Sequence, residues 1–460
     1  MDVADHPVRV RMAPSPTGFV HLGSARTALF NLLFARANSG LFVLRVEDTD
    51  LERGSLEYEN AIYEAFRWLG LDWDEGPDVG GPHGPYRQSE RLDIYRERAA
   101  RLLDAKQAYR CFCTPEELEA ERRAAEAAHQ PYKYSRRCLN NPPGGRHEFT
   151  VRFLVPGGHV GFEDLIKGPV DFDADLISDF VIMKSNGFPT YNFAAAVDDA
   201  LMNISHVLRA EEHLSNTPLQ LMVLEALGFA PPSAYGHLPQ ILGKDRAKLS
   251  KRRHPEARLS LYREQGYLSE ALVNYMALLG WNPGTEQEIF TFDELVHAFS
   301  LARVQKSGAI FDWEKLDWID GHYIRALSDP ELATRLMPFL PELDPDTVRK
   351  AAPALKDRLK KLSDAKALLS YLEAEPELPK FDADGREKLA AAVRALEGSP
   401  WEPEPIERAL ERVMTESGWS KGKFFTPLRL AVAGQISPPI HYTLALLPKE
   451  EALKRLRRAA

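Results

Sequence analysis

Apolar residues follow two different periods along the chain, and the changes between them mark out its parts. Val8 to Met12 alternates apolar and basic side chains, which predicts a short strand, and from Ala25 to Asn38 apolar residues recur at helical spacing up to Ser39-Gly40. Leu41 to Val46 is a compact apolar run, read as the second strand of a parallel sheet. A helix follows from Glu57 to Leu69, closed by Gly70. Gly76 to Pro85 is irregular because Gly and Pro crowd it, and Arg91 to Ala105 is again helical. Then come a charged, alanine-rich helix from Glu116 to His129 and strand-like alternation over Phe149 to Phe153. Ser178 to Lys184 reads as a buried strand and Gly187 to Tyr191 as a turn. Val207 to His213 reads as a strand entering a helix that Ser215 or Asn216 caps and Gly228 closes. Past Arg252 the pattern is chiefly helical, through Leu268 to Leu279, and from Asp329 onward helix formers dominate with helical period.

This succession predicts an α/β Rossmann-like domain in two halves, 1–110 and 186–255, separated by an α+β insertion at 111–185. After these come a segment at 256–328 and an all-α C-terminal region at 329–460. At 460 residues the chain is too long for one core, so such a division is required.

Composition adds exclusions. An apolar share of 44% and a charged share of 27% are ordinary for a globular chain. Met1 to His6 hold no apolar signal core, no later run is long enough to span a bilayer, and three cysteines cannot form a disulfide framework. The expectation is therefore a cytoplasmic protein without a membrane partner. A net charge of −9 disfavours nucleic-acid binding by the surface as a whole, so an RNA partner needs local patches. Lys356 to Lys361 and Lys454 to Arg458 are the basic clusters that offer them.

Two stretches carry chemistry. Arg11 to Ser24 lies between the first strand and the first helix, and this order aims backbone N–H groups and the positive end of a helix at the loop, where phosphate is the usual occupant. His21 can donate to phosphate oxygens and Gly23 permits close approach to the backbone. Far downstream, Lys248-Leu249-Ser250-Lys251-Arg252 sets cations beside a serine in a short polar loop. A phosphate cradle and a lysine loop are the two halves of an adenylyl-transfer site. Glu47, Asp48 and Asp50 close the second strand, at the strand ends where open α/β sheets bind ligands. Cys111, Cys113 and Cys138 are more economical as zinc ligands than as scattered thiols, and a tetrahedral site needs a fourth.

Together, His21 to Ser24 and Lys248 to Arg252 resemble the paired signatures of class I aminoacyl-tRNA synthetases. Ala13-Pro14-Ser15-Pro16-Thr17-Gly18, Arg45 to Asp50 and Tyr86 to Arg91 look like the glutamyl branch of that family in its bacterial form. The resemblance implies ATP with Mg²⁺, L-glutamate and tRNA(Glu) as reactants and partners, and a monomer. It places ATP against Thr17, Gly18, His21, Gly23, Ser24, Lys248, Ser250 and Lys251, with His21, Lys248 and Lys251 catalytic. Arg11, Ser15, Glu47, Tyr191 and Arg209 are then the glutamate pocket, with Arg11 on the side-chain carboxylate. The stretch 111–185 is similar to the family's acceptor-stem-binding insertion and too short for a hydrolytic editing domain, 256–328 contacts the stem, and 329–460 binds the anticodon. Arg358 aligns with the family arginine that reads a cytosine there, and the loop Lys421 to Leu428 is the candidate for the next bases. Where many members supply a histidine as fourth zinc ligand this chain has Asn140. Tyr134 sits where the related glutamyl-queuosine synthetases supply a tyrosine, and His147 is a further candidate. The fourth ligand thus stays open, with a loop that has lost its metal as the alternative. Rival readings are a glutamyl-queuosine tRNA(Asp) synthetase, which lacks the C-terminal domain, and a small-molecule adenylyltransferase.

Overall fold

A computed structural model describes residues 7–50, 55–250, 253–434 and 437–460. The chain divides into two compact units, Met1–Leu261 with Val273–Asp312 and Tyr262–Leu272 with Trp313–Ala460.

The first unit is built on parallel strands. Arg9–Met12 pairs with Leu41–Leu44, Arg11 opposite Val43. All four residues of the first strand are buried, as expected of a strand covered on both faces. On its other side Ser205 donates its N–H to the Arg9 carbonyl at 2.9 Å and receives the Arg9 N–H on Oγ at 2.8 Å. The strand His206–Ala210 continues from there, parallel to Ala234–Leu238. The stretch 111–185, expected as an insertion, reaches this sheet, because Asp164 at the end of His159–Asp164 lies opposite Tyr235. A separate antiparallel sheet joins Ala108–Cys111, Thr150–Phe153 and Val181–Met183. Between that sheet and the helices Leu92–Asp104, Tyr191–Leu201 and Thr217–Leu227 lies a core containing Tyr95, Phe153, Phe193, Val197 and Met222.

Several predicted bounds shift for local reasons. The first helix runs Leu22–Ala37 and so begins before Ala25, because His21 caps it. Val181–Met183 is shorter than the predicted Ser178 to Lys184. Beyond Ala210 the chain makes a 3₁₀ turn, Glu211–Asn216, before the helix Thr217–Leu227; Asn216 occupies the cap position but its side chain does not bond the helix N-terminus, so neither predicted cap acts as one. Gly228 does close this helix, at φ +69°, a conformation glycine adopts without strain.

Among the described residues the regular elements of the second unit are all helices, from Trp313–Ala326 through Ala383–Glu397 and Pro403–Glu416 to Lys449–Ala459. Lys421 to Leu428, expected as a loop, is the start of the helix Lys421–Ala433. No described helix is long and apolar enough to cross a membrane.

Candidate active site

The carboxyl ends of Arg9–Met12 and His206–Ala210 and the amino end of Leu22–Ala37 open on one cavity of about 660 Å³. Arg11, Ser15, His21, Gly23 and Ser24 line it from the first stretch, and Glu47, Tyr191, Arg209, Lys248 and Ser250 from the rest of the first unit. Thr17 and Gly18 stand apart from this lining, in a neighbouring cavity of about 210 Å³. Lys251 and Arg252 lie outside the described residues.

His21 is the N-cap of its helix. Its backbone is extended and its Nδ1 accepts the Gly23 N–H at 2.9 Å. That bond takes up the Gly23 N–H and keeps the Nδ1 lone pair occupied. A Cβ on residue 23 would lie 3.2 Å from Nδ1, so glycine here makes room for the imidazole. The lysine stretch is a small hairpin in which Leu242 faces Lys248 and the Leu249 N–H bonds the Ile241 carbonyl. Lys248 is paired with Glu212 on the cavity wall.

Arg11 is already half engaged. Its Nε and Nη2 donate to the two oxygens of Asp199 at 3.0 and 3.2 Å. Asp199 also receives Arg45 at 2.7 Å, and Arg45 bonds Glu47 at 3.1 Å. Burial opposes ionisation of Asp199, but Arg11 and Arg45 outweigh it and hold its pKa down at about 2. Burial pushes Glu47 the other way, above the usual carboxylate range, in spite of Arg45 and Arg11. Next along the same helix, Asp198 accepts from Arg91 at 2.8 Å, Gln88 at 2.9 Å and Tyr95 at 2.8 Å. The Tyr86 to Arg91 stretch therefore anchors the helix that carries Tyr191.

Arg209 is different. It is 4% exposed, and it donates to His237 at 3.1 Å, Gln220 at 2.9 Å, Thr217 at 2.8 Å and Tyr191 at 3.4 Å, all neutral groups. Among the described residues no carboxylate lies within ion-pair distance of it. Burial pulls its pKa down, and the same burial, with Arg209 nearby, takes His213 to about 4, so the cavity holds a neutral imidazole beside a guanidinium. A buried cation without a counter-charge is costly unless an anion joins it.

Sequence reasoning did not find Asp198, Asp199, Glu212, His213 or His237. The aspartate pair had a signal, two adjacent acids at the end of an otherwise apolar helical stretch, Phe193 to Val197. His237, a lone histidine in a strand, had none.

The cysteine sulfurs of Cys111, Cys113 and Cys138 lie within 4.8 Å of one another. The Tyr134 hydroxyl is 3.4 Å from Cys111 Sγ and 3.2 Å from Cys113 Sγ, and Tyr134 is buried. His147 is exposed and outside this group. Burial resists the Cys111 thiolate, but Tyr134 and Arg152 outweigh it and bring its pKa to about 7, whereas burial keeps Cys113 up at about 11. Three sulfurs and a hydroxyl at this spacing suit a tetrahedral ion.

In the second unit Arg358 is exposed and its side chain has no hydrogen bond or ion pair among the described residues, whereas Lys356 pairs with Asp329 at 3.0 Å. Its charge, after burial, lowers the pKa of Arg429. The other basic cluster is consumed internally: Lys454 and Arg458 pair with Glu375, Arg455 with Glu451 and Arg457 with Glu397.

Residues 7–318 match the catalytic domain of class I tRNA synthetases (E and Q), and residues 331–460 match an anticodon binding domain. The chain belongs to that class I family of tRNA synthetases. Within it, the chain is 45% identical to the glutamate–tRNA ligase of Carboxydothermus hydrogenoformans, over 98% of this chain and 99% of that protein. It is also 45% identical to the glutamate–tRNA ligase of Moorella thermoacetica, over 98% of each. Crystal structures of a glutamate tRNA ligase from Elizabethkingia meningosepticum in complex with its amino acid (32% identity, TM-score 0.85) and of the glutamate-tRNA synthetase from Elizabethkingia anophelis (33%, 0.86) superpose over 99% of both chains.

Proposed function

We propose that this protein is a glutamate–tRNA ligase, which activates L-glutamate with ATP and transfers it to the 3′-terminal adenosine of tRNA(Glu). The observation that carries this reading is the convergence of two buried arginines, one without a counter-carboxylate among the described residues, on the cavity that also holds His21 and Lys248. A dicarboxylate amino acid supplies the missing charge. In the glutamate pocket Arg11 takes the side-chain carboxylate with the edge that Asp199 leaves, Tyr191 and Ser15 add hydrogen bonds, Glu47 faces the ammonium, and Arg209 completes the set. Glutamine is rejected because its amide turns N–H donors towards guanidinium groups that have no acceptor.

The α-carboxylate attacks the α-phosphorus of ATP and pyrophosphate leaves. A ribose hydroxyl of the tRNA then attacks the glutamyl carbonyl and AMP leaves. The protein aligns these groups and stabilises phosphate charge, with His21, Lys248 and Lys251 catalytic and Thr17, Gly18, Gly23, Ser24 and Ser250 around the nucleotide. Mg²⁺ would enter with the nucleotide and offset its phosphate charge, since the carboxylates lining the cavity, Glu47 and Glu212, are paired with Arg45 and Lys248. Arg358 meets the anticodon, and the divisions at 110, 185, 255 and 328 separate catalytic, acceptor-stem, stem-contact and anticodon parts. A cytoplasmic monomer fits this role. A queuosine-modifying synthetase is disfavoured by the anticodon-domain match at 331–460.

Purified protein is expected to give glutamate-dependent ATP–pyrophosphate exchange in the presence of tRNA(Glu) and to charge that tRNA with glutamate but not glutamine. Charging with glutamine, or none with glutamate, would sink the reading. Lys248→Ala is expected to lower the exchange kcat about 10²-fold with the glutamate KM little changed, as for loss of one donor to developing phosphate charge.

For the cysteine group we propose structural zinc held by Cys111, Cys113, Cys138 and Tyr134, with Tyr134 preferred to His147 on position. Metal analysis of protein purified without chelators is expected to find about one Zn²⁺ per chain, reduced in Tyr134→Phe and unchanged in His147→Ala. Metal-free protein straight from cells would favour the loop that has lost its ion.

A further inference from the structure

Behind Arg209 stands a buried pair that the reaction as described leaves unused. Asp164 and His237 are both fully buried, with Asp164 Oδ2 2.5 Å from His237 Nδ1. The other Asp164 oxygen is held by the N–H groups of Ile166 at 3.0 Å and Lys167 at 2.8 Å. A carboxylate only accepts, so the ring proton sits on Nδ1 and Nε2 presents its lone pair. Arg209 Nε donates to that lone pair at 3.1 Å. The Thr217 hydroxyl, which receives Arg209 Nη2, lies 3.2 Å from the same nitrogen.

We propose that His237, fixed in one tautomer by Asp164, is the positioning residue that orients Arg209 for the substrate carboxylate while keeping that arginine's charge unspent. The proposal rests on the reading of Arg209 as part of the glutamate pocket. Its physical content lies in what the imidazole separates. A carboxylate in direct contact with Arg209 would also fix the guanidinium, but it would neutralise it and compete with the substrate. Arg11 shows that arrangement, since Asp199 occupies two of its N–H groups. With a neutral ring between Asp164 and Arg209, the guanidinium keeps a defined plane and its full demand for an anion. Gln220 and Thr217, also neutral, hold the two Nη atoms in the same way. The strand His159–Asp164, which belongs to the insertion, thereby reaches the glutamate pocket through one imidazole.

The test compares His237→Phe, His237→Gln and Asp164→Asn in full-length protein, measuring kcat and KM for glutamate, ATP and tRNA together with thermal unfolding. Phenylalanine removes the acceptor, and asparagine in place of Asp164 lets the ring turn a donor on Arg209. Each is expected to raise the glutamate KM about 10- to 100-fold, the range for losing one hydrogen bond to a charged group, with kcat and the other KM values within about threefold. Glutamine in place of His237 keeps an acceptor near the Nε2 position and is expected to stay within about threefold of the parent. Folded His237→Phe and Asp164→Asn proteins whose glutamate KM is unmoved, effects spread equally over all three substrates, or a His237→Gln protein as impaired as His237→Phe would each overturn the proposal. Parent protein that does not use glutamate at all would instead overturn the underlying reading.

Discussion

Arg209→Met is expected to lower kcat/KM for glutamate by about 10³-fold while the KM for ATP changes little. Methionine keeps much of the volume and removes the cation. Truncating one member of a buried charge pair costs about 2–5 kcal/mol, and about 4 kcal/mol corresponds to that thousandfold loss. The effect belongs to glutamate because, among the described residues, Arg209 has only neutral partners, so the charge it lacks is the one the substrate brings. Arg209→Lys is expected to recover part of the loss, since an ammonium restores charge but cannot reach His237, Gln220 and Thr217 with one planar fork. Steady-state charging of tRNA(Glu) at varied glutamate measures both variants. Equal losses in glutamate and ATP parameters would point to general damage and against the pocket.

Arg45→Met is expected to destabilise the first unit by about 3–5 kcal/mol, seen as an earlier transition in urea. Arg45 is fully buried and sits among Asp199 at 2.7 Å, Glu47 at 3.1 Å and Asp198 at 3.8 Å. Without it those carboxylates remain buried with too few cations. The same network gives the parent protein an acid limb with a definite sign. The Asp199 pKa is about 2 in the folded protein, against about 3.9 for an ordinary aspartate. Its contribution is therefore complete above about pH 4 and disappears as pH falls through about 2. Urea midpoints between pH 5 and 2 measure this, and Asp199→Asn should flatten that part of the decline.

The strand, loop and helix around His21 were legible because hydrophobic period changes there from two to helical within a few residues, with glycine and proline between. The helical C-terminal region was legible for the complementary reason, an unbroken helical period. The electrostatics were not. Arg11 reads in sequence as a cation available to a substrate, and only the fold brings Asp199, distant in the chain, onto its guanidinium. The capping by His21 was not legible either, because a histidine seldom caps a helix and Ser, Thr, Asp and Asn are the usual signals. Lys454 to Arg458 looked like a surface for RNA, yet Glu375, Glu397 and Glu451, two of them well upstream, absorb those charges. Local pattern predicts elements well, whereas ion pairing depends on which distant segments meet.

The Lys248–Glu212 pair bears on how readily the cleft responds to nucleotide. Both side chains are about half exposed, so water screens the pair and its worth is no more than about 1 kcal/mol. Under the proposed function the lysine is held in reserve by a weak tether, and drawing it onto a triphosphate costs at most a factor of about five in affinity. A screened pair of this kind also weakens as salt rises, so it puts little in the way of a chain of three phosphates. The resting cleft thus holds its lysine loosely, and the ligand with the greatest density of negative charge is the one that gains most from drawing it in.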